Sequence, residues 1–154
     1  MDASPHTPRS VRDEAAVADI RRHIDRLIEL LRTKDRDALG RQYAEDVVSF
    51  DVEPPLQHVG RAAKMRNWSK VFAVFDRVDY EVRDLDVTVG DDVAFAHGFG
   101  RVSGALADGT PVAGMWVRAT FCLQRIDGEW LIVHDQASVP FDITTGKGVT
   151  DLEP

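Results

Sequence analysis

The fold is decided by residues 111–139, PVAGMWVRATFCLQRIDGEWLIVHDQASV. Two runs rich in β-branched and aromatic residues flank Asp127-Gly128, a dipeptide suited to the tight turn of a hairpin. In the first run Ala113, Met115, Val117, Ala119, Phe121 and Leu123 share one parity, and Trp116, Arg118, Thr120 and Gln124 share the other. Alternate residues of a strand point to opposite faces, so the first set predicts a core face and the second an outer one. In the second run Leu131, Val133, Asp135 and Ala137 alternate with Trp130, Ile132, His134, Gln136 and Ser138, and both sets are mixed. Agreement with the neighbouring strand turns Asp135 inward. It leaves Trp116, Arg118, Thr120, His134 and Gln136 as a polar network on the outer face, which a second subunit could cover.

Upstream, Val78, Tyr80 and Val82 alternate, and Leu85 and Val87 continue the strand after a phase slip. Gly90-Asp91-Asp92 turns the chain, Val93 to Gly104 forms the next strand, and Asp108-Gly109 marks another hairpin. Strands of this length exceed the usual five or six residues or so and must twist and bend. Gly98, Gly100, Gly104 and Gly114 are the natural places for it. On the strand from Val93, Phe95, His97, Phe99 and Arg101 share one face, opposite Ala94, Ala96, Gly98 and Gly100. The larger set predicts a cavity wall carrying two polar groups, His97 and Arg101.

Before residue 76 the apolar period becomes helical. Val17, Ile20, Ile24, Leu27 and Leu31 mark a long amphipathic helix, and Ala38, Leu39, Gln42 and Tyr43 a short second one. Asp46 to Asp51 predicts a strand ended by Glu53-Pro54-Pro55. A third helix starts near Gly60 with Met65, Trp68, Phe72 and Phe75 on one stripe; Arg61, Lys64, Arg66 and Lys70 read as its solvated face. This order predicts an α+β fold in which a strongly curved antiparallel sheet wraps around three N-terminal helices, a cone-shaped, cystatin-like cup with an internal pocket. Residues 1–10, with Pro5 and Pro8, read as a flexible N-terminal arm, and residues 11–154 as a single domain.

Composition fits this picture. The chain has 154 residues, 44% hydrophobic and 29% charged, with 19 Lys and Arg against 26 Asp and Glu for a net charge of −7. Such a chain can bury a core without staples. Its acidic balance argues against nucleic acid and anionic membrane as partners. The single Cys122 excludes an intrachain disulfide. No apolar run reaches the roughly 18 residues that span a bilayer, and Met1 to Ser10 lacks the apolar core of a secretory signal, so a cytoplasmic location is expected. His97 and His134 have no third ligand at a recognisable spacing, and no glycine-rich phosphate loop is present; neither metal nor cofactor is expected.

Tyr43-Ala44-Glu45-Asp46-Val47-Val48, Pro54-Pro55-Leu56 with Gly60, Asp92-Val93-Ala94-Phe95, Trp116-Val117-Arg118-Ala119-Thr120 and Asp127-Gly128-Glu129-Trp130-Leu131-Ile132-Val133-His134 together resemble the nuclear transport factor 2-like superfamily, within it the SnoaL-like group of ketosteroid isomerase homologues. The resemblance runs from about Ala15 to Pro154 and includes the tail Ser138-Val139-Pro140-Phe141-Asp142. It specifies the fold better than the chemistry, because this scaffold hosts isomerases, cyclases, epoxide hydrolases, dehydratases and assembly domains. By resemblance Asp51 matches the aspartate general base of ketosteroid isomerases. Their two oxyanion donors fall instead at Leu27 and at Ala119 or Thr120, so steroid isomerisation is not expected. Asp135 matches the last-strand aspartate of limonene-epoxide-hydrolase-like members, whose other two positions fall near Phe99 and Arg101. Where many SnoaL-like relatives read His-x-His, this chain reads His134-Asp135-Gln136.

The acid/base candidates are therefore Asp51, Asp135 and His97, with Tyr43, Trp68, Phe72, Phe99, Arg101, Met115 and Val117 lining the pocket. An aspartate in an apolar pocket gains basicity from desolvation, and Arg101 could orient a carbonyl. The expected function is a small-molecule pocket protein of isomerase, cyclase or hydratase type, with an aspartate base acting on an apolar carbonyl or epoxide. The alternative is a non-catalytic ligand-binding or assembly module with a vestigial pocket. A homodimer through the sheet is expected in either case.

Overall fold

A computed structural model describes residues 14–154; the arm read at residues 1–10 lies outside them. Helix α1 (Glu14–Arg32) buries Ile20, Ile24, Leu27, Leu30 and Leu31 along one face, as its apolar spacing requires. Helix α2 (Arg36–Gly40) is capped by Asp35, whose side chain accepts the Ala38 N–H at 3.1 Å. Strands β1 (Tyr43–Phe50) and β2 (His58–Val59) follow, then helix α3 (Arg61–Val74). The meander comprises β3 (Arg77–Val89), β4 (Val93–Ala105), the short β5 (Pro111–Val112), β6 (Trp116–Ile126) and β7 (Glu129–Ser138). A tail hairpin, β8 (Phe141–Asp142) with β9 (Lys147–Gly148), closes the chain.

The sheet order is β2-β1-β7-β6-β4-β3, with β5 paired to β4. The pairs are antiparallel except that β1 runs parallel to β7, which brings the end of the first strand beside the middle of the last. Three irregularities set the side-chain phase, the first being a shift of the β1–β7 register between Tyr43 and Val48. The β3–β4 register shifts between Arg83 and Asp86, with Asp84 in a left-handed conformation at φ 54°; this is the slip visible in the sequence. In β7 the shift falls at Val133: Leu123 pairs with Ile132 and Cys122 with His134. Ile132 and Asp135 therefore both face inward although they are three residues apart.

The expected face of β4 is reversed. Ala94 and Ala96 are buried in the core, and His97, Phe99 and Arg101 stand on the outer face opposite Thr120, Arg118 and Trp116. The physical reason is space: the small residues make room for neighbours from other elements. A Cβ on Gly100 would lie 2.4 Å from the Tyr80 hydroxyl, so Tyr80, rather than the large residues of β4, fills that part of the interior. The strand expected from Pro111 to Arg125 is broken at Ala113-Gly114-Met115. Gly114 has φ +70° there, and a Cβ would fall 1.8 Å from the Val102 carbonyl oxygen. The break turns Met115 toward the interior.

Candidate active site

The inner face of the sheet, α3 and the loop after β1 enclose a cavity of about 430 Å³. Its wall is mostly apolar, with Leu27, Val71, Phe75, Val102, Met115, Val117, Ala119 and Phe121 among the lining side chains. The polar groups concentrate where β1, β7 and α3 meet. Parallel pairing of β1 with β7 sets Ser49 opposite Asp135, and Asp51 follows where β1 ends. From α3, Lys64 reaches across to both carboxylates.

Lys64 is only 2% exposed. Its Nζ lies 3.0 Å from Asp135 Oδ2, 3.2 Å from Asp51 Oδ1 and 2.9 Å from Ser49 Oγ. An ammonium has three N–H donors, and here each has an acceptor. The Tyr43 and Trp68 rings lie 5.8 and 5.5 Å from the same nitrogen. Burial alone would lower the lysine pKa, but the Asp135 and Asp51 carboxylates overcome it and raise the pKa above the ordinary value. Lys64 is thus a fixed cation, unsuited to act as an amine nucleophile at neutral pH. With two carboxylates against one ammonium, this triad carries one net negative charge.

The remaining contacts hold the carboxylates in place. The Ser49 hydroxyl donates to Asp135 Oδ1, and Asn67 Nδ2 donates to Asp51 Oδ2 at 2.7 Å. Asp51 is the more exposed of the two side chains, 16% against 10% for Asp135. Beside them, the Tyr43 hydroxyl accepts the Trp68 indole N–H at 3.1 Å and keeps its own proton to donate. Burial, helped by the field of Asp135, pushes that phenol well above its ordinary pKa, so it is a neutral donor.

The structure therefore brings Asp51, Asp135, Tyr43, Trp68, Met115 and Val117 to one cavity. It does not bring His97, whose Nε2 lies 3.6 Å from Asp86 on the outer face. Phe99 and Arg101 leave the cavity for the same reason of strand phase, and the Arg101 guanidinium sits 4.7 Å over the Trp116 ring and 3.0 Å from Glu81. Phe72 packs on the core beside Trp68 and does not line the cavity. On the outer face the expected network is a set of separate pairs. Trp116 lies between Arg83 and Arg101, and Arg118 donates to Ser138 Oγ and the Val139 carbonyl. His134 Nδ1 lies 2.6 Å from the Val48 carbonyl, and Thr120 stands between His97 and Gln136. Gln136 is exposed on that face and also borders the cavity.

Sequence reasoning missed Lys64, Ser49, Asn67 and His58. For Lys64 a signal existed: Lys64, Trp68, Val71 and Phe75 follow the helical i, i+4, i+7, i+11 spacing, which places the charge inside an apolar stripe. Among the described residues no three His, Cys, Asp or Glu side chains gather in a way that could hold a metal ion, and no helix is long and apolar enough to cross a membrane.

Residues 20–142 match the family model of the SnoaL-like domain. The chain belongs to the SnoaL-like family. A nuclear transport factor 2-like protein of unknown function from Pseudomonas putida KT2440 shares 30% identity, with a TM-score of 0.81 over 94% of this chain and 100% of its own. A protein from Streptomyces avermitilis, described as a candidate dehydratase of the nuclear transport factor 2-like family, matches with a TM-score of 0.74, 18% identity and 84% and 99% of the two chains. One from Novosphingobium aromaticivorans, described as having a cystatin-like fold, gives 0.70, 21%, 86% and 87%. These last two share the fold. A comparison with curated proteins gives no match.

Proposed function

We propose that this SnoaL-like protein is a proton-transfer enzyme of isomerase or dehydratase type, with Asp51 as the general base on a small, largely apolar carbonyl compound. The observation that carries this reading is the convergence of a carboxylate pair, a fixed cation and a neutral phenol donor on one mostly apolar cavity. Asp51 would take the proton from the carbon next to the carbonyl; the C–H electron pair would become the C=C bond of the enolate, and the carbonyl π pair would move to the oxygen. The Tyr43 hydroxyl is suited to donate to that developing oxyanion, in place of the donors absent at Leu27 and Ala119. Asp135 would hold Lys64, and Lys64 would keep Asp51 aimed.

The alternative, a non-catalytic ligand-binding or assembly module, is favoured by one observation: the oxygens of both carboxylates already have protein partners. Solvent exchange separates the two. Small cyclic ketones incubated with the protein in D2O should gain deuterium next to the carbonyl, and Asp51→Asn should slow this by about 10² to 10⁴. An epoxide panel run beside it reads hydrolysis. Ketone binding without exchange in the wild type would favour the module. A second copy of the chain would cover the outer face, where Phe50 and Phe95 are exposed; a monomer mass in light scattering at micromolar concentration would contradict that dimer.

A further inference from the structure

His58 sits on β2 directly opposite Ser49 and is 9% exposed. Its Nε2 is buried and has no hydrogen-bond partner, yet Asp51 Oδ2 lies 3.6 Å away. A buried imidazole nitrogen without a partner forfeits a hydrogen bond, and such a group calls for a physical reason. The neighbourhood supplies one. Lys64 takes one lone pair of Asp51 Oδ1, Asn67 one of Oδ2, and the Ser49 hydroxyl, at 3.5 Å from Oδ2, is already committed to Asp135, so the side of Oδ2 that faces His58 is open to a carboxyl proton. An ionised carboxylate and a bare imidazole nitrogen repel, lone pair against lone pair, which accounts for a gap longer than a hydrogen bond.

We propose that His58 presents an unprotonated Nε2 to Asp51 and accepts a hydrogen bond from its carboxyl once Asp51 is protonated. This rests on the reading of Asp51 as the base. When the substrate C–H bond breaks, its electron pair becomes the C=C bond of the enolate as the carbonyl π pair moves to oxygen, and its proton goes to the cavity side of the Asp51 carboxylate; rotation of the new carboxyl O–H then turns it toward the His58 lone pair. The contact exists only after proton transfer, so it stabilises the enolate with protonated Asp51 over the ground state and holds the proton there long enough to exchange with solvent. His58 touches no substrate atom and acts through Asp51 as a positioning residue.

The test has a spectroscopic arm and a kinetic arm. Imidazole 15N spectra of the 154-residue chain, assigned by comparison with His58→Phe, should show His58 as the Nδ1–H tautomer with Nε2 bare. An Nε2–H tautomer overturns the proposal whatever the activity. In the ketone exchange assay, His58→Phe should slow deuterium uptake at least 10-fold with the dissociation constant for cyclohexanone unchanged, and His58→Gln, whose amide oxygen can accept, should recover part of the rate. Wild-type exchange rates in a folded His58→Phe protein overturn the His58 role alone. A wild type that exchanges nothing overturns the assignment of Asp51, and the proposal with it.

Discussion

The two faces of the sheet each carry a small charge cluster, and the clusters differ in what surrounds them. On the inner face one ammonium, that of Lys64, is held by two carboxylates inside an apolar cavity. On the outer face one carboxylate, that of Glu81, bridges Arg83 and Arg101, whose guanidinium groups flank the Trp116 ring. The pairing distances are similar, 3.0 and 3.2 Å inside and 2.9 and 3.0 Å outside. Water decides the difference. The outer pair is screened and replaceable, whereas the inner charges gave up their hydration and depend on one another. Ion pairing alone therefore says little about function; pairing in a dry cavity beside a proton donor says more.

The largest effect should come from removing the inner cation. Lys64→Met leaves the buried Asp135 carboxylate and the part-buried Asp51 carboxylate facing each other and should destabilise the fold by about 3–5 kcal/mol in denaturant titration. Loss of less than about 1 kcal/mol would mean that water reaches the cluster and the comparison fails. The same residue gives a pH signature. Its folded pKa lies above the ordinary 10.5, so its stabilisation is complete below that pH and is lost as the pH rises through the higher folded value. Between 10.5 and 12 the wild type should lose more stability than Lys64→Met, with Lys70→Met behaving as the wild type. Parallel slopes for all three proteins would contradict the ion triad.

Tyr43→Phe should cost about 1 kcal/mol through the lost bond from Trp68, and should slow ketone exchange by about 10-fold or more. A rate unchanged by this variant would remove the oxyanion role. On the outer face, His97→Ala should stay within about 0.5 kcal/mol of the wild type in stability.

Much of the fold was legible because long strands repeat a simple rule. The meander and the slip near Asp84 follow from strand parity and its interruption, whereas Asp135 faces inward together with Ile132, which the sequence placed on the outer face, because the register shifts at Val133. Asp51 is singled out by the family resemblance, which marks the end of the first strand, and it borders the cavity. The reversal on β4 has a definite cause: large side chains ordinarily mark an interior face, but the interior there demands small ones so that Tyr80 can lie over Gly100. Lys64 was hidden because a lysine in a basic run is ordinarily solvated, and its burial depends on two aspartates 13 and 71 residues away in the chain. The parallel β1–β7 pairing that unites them leaves no local trace. His58 and Asn67 converge on Asp51 through that same tertiary arrangement.

The central claim, that chemistry belongs to the inner cluster and not to the outer face, is tested most directly by one side-by-side measurement. Deuterium uptake by a ketone that the wild type exchanges is followed with Asp51→Asn and with His97→Ala. Asp51→Asn should be slower by about 10² or more, with His97→Ala equal to the wild type. Equal rates for Asp51→Asn and wild type, or a loss confined to His97→Ala, would contradict the account.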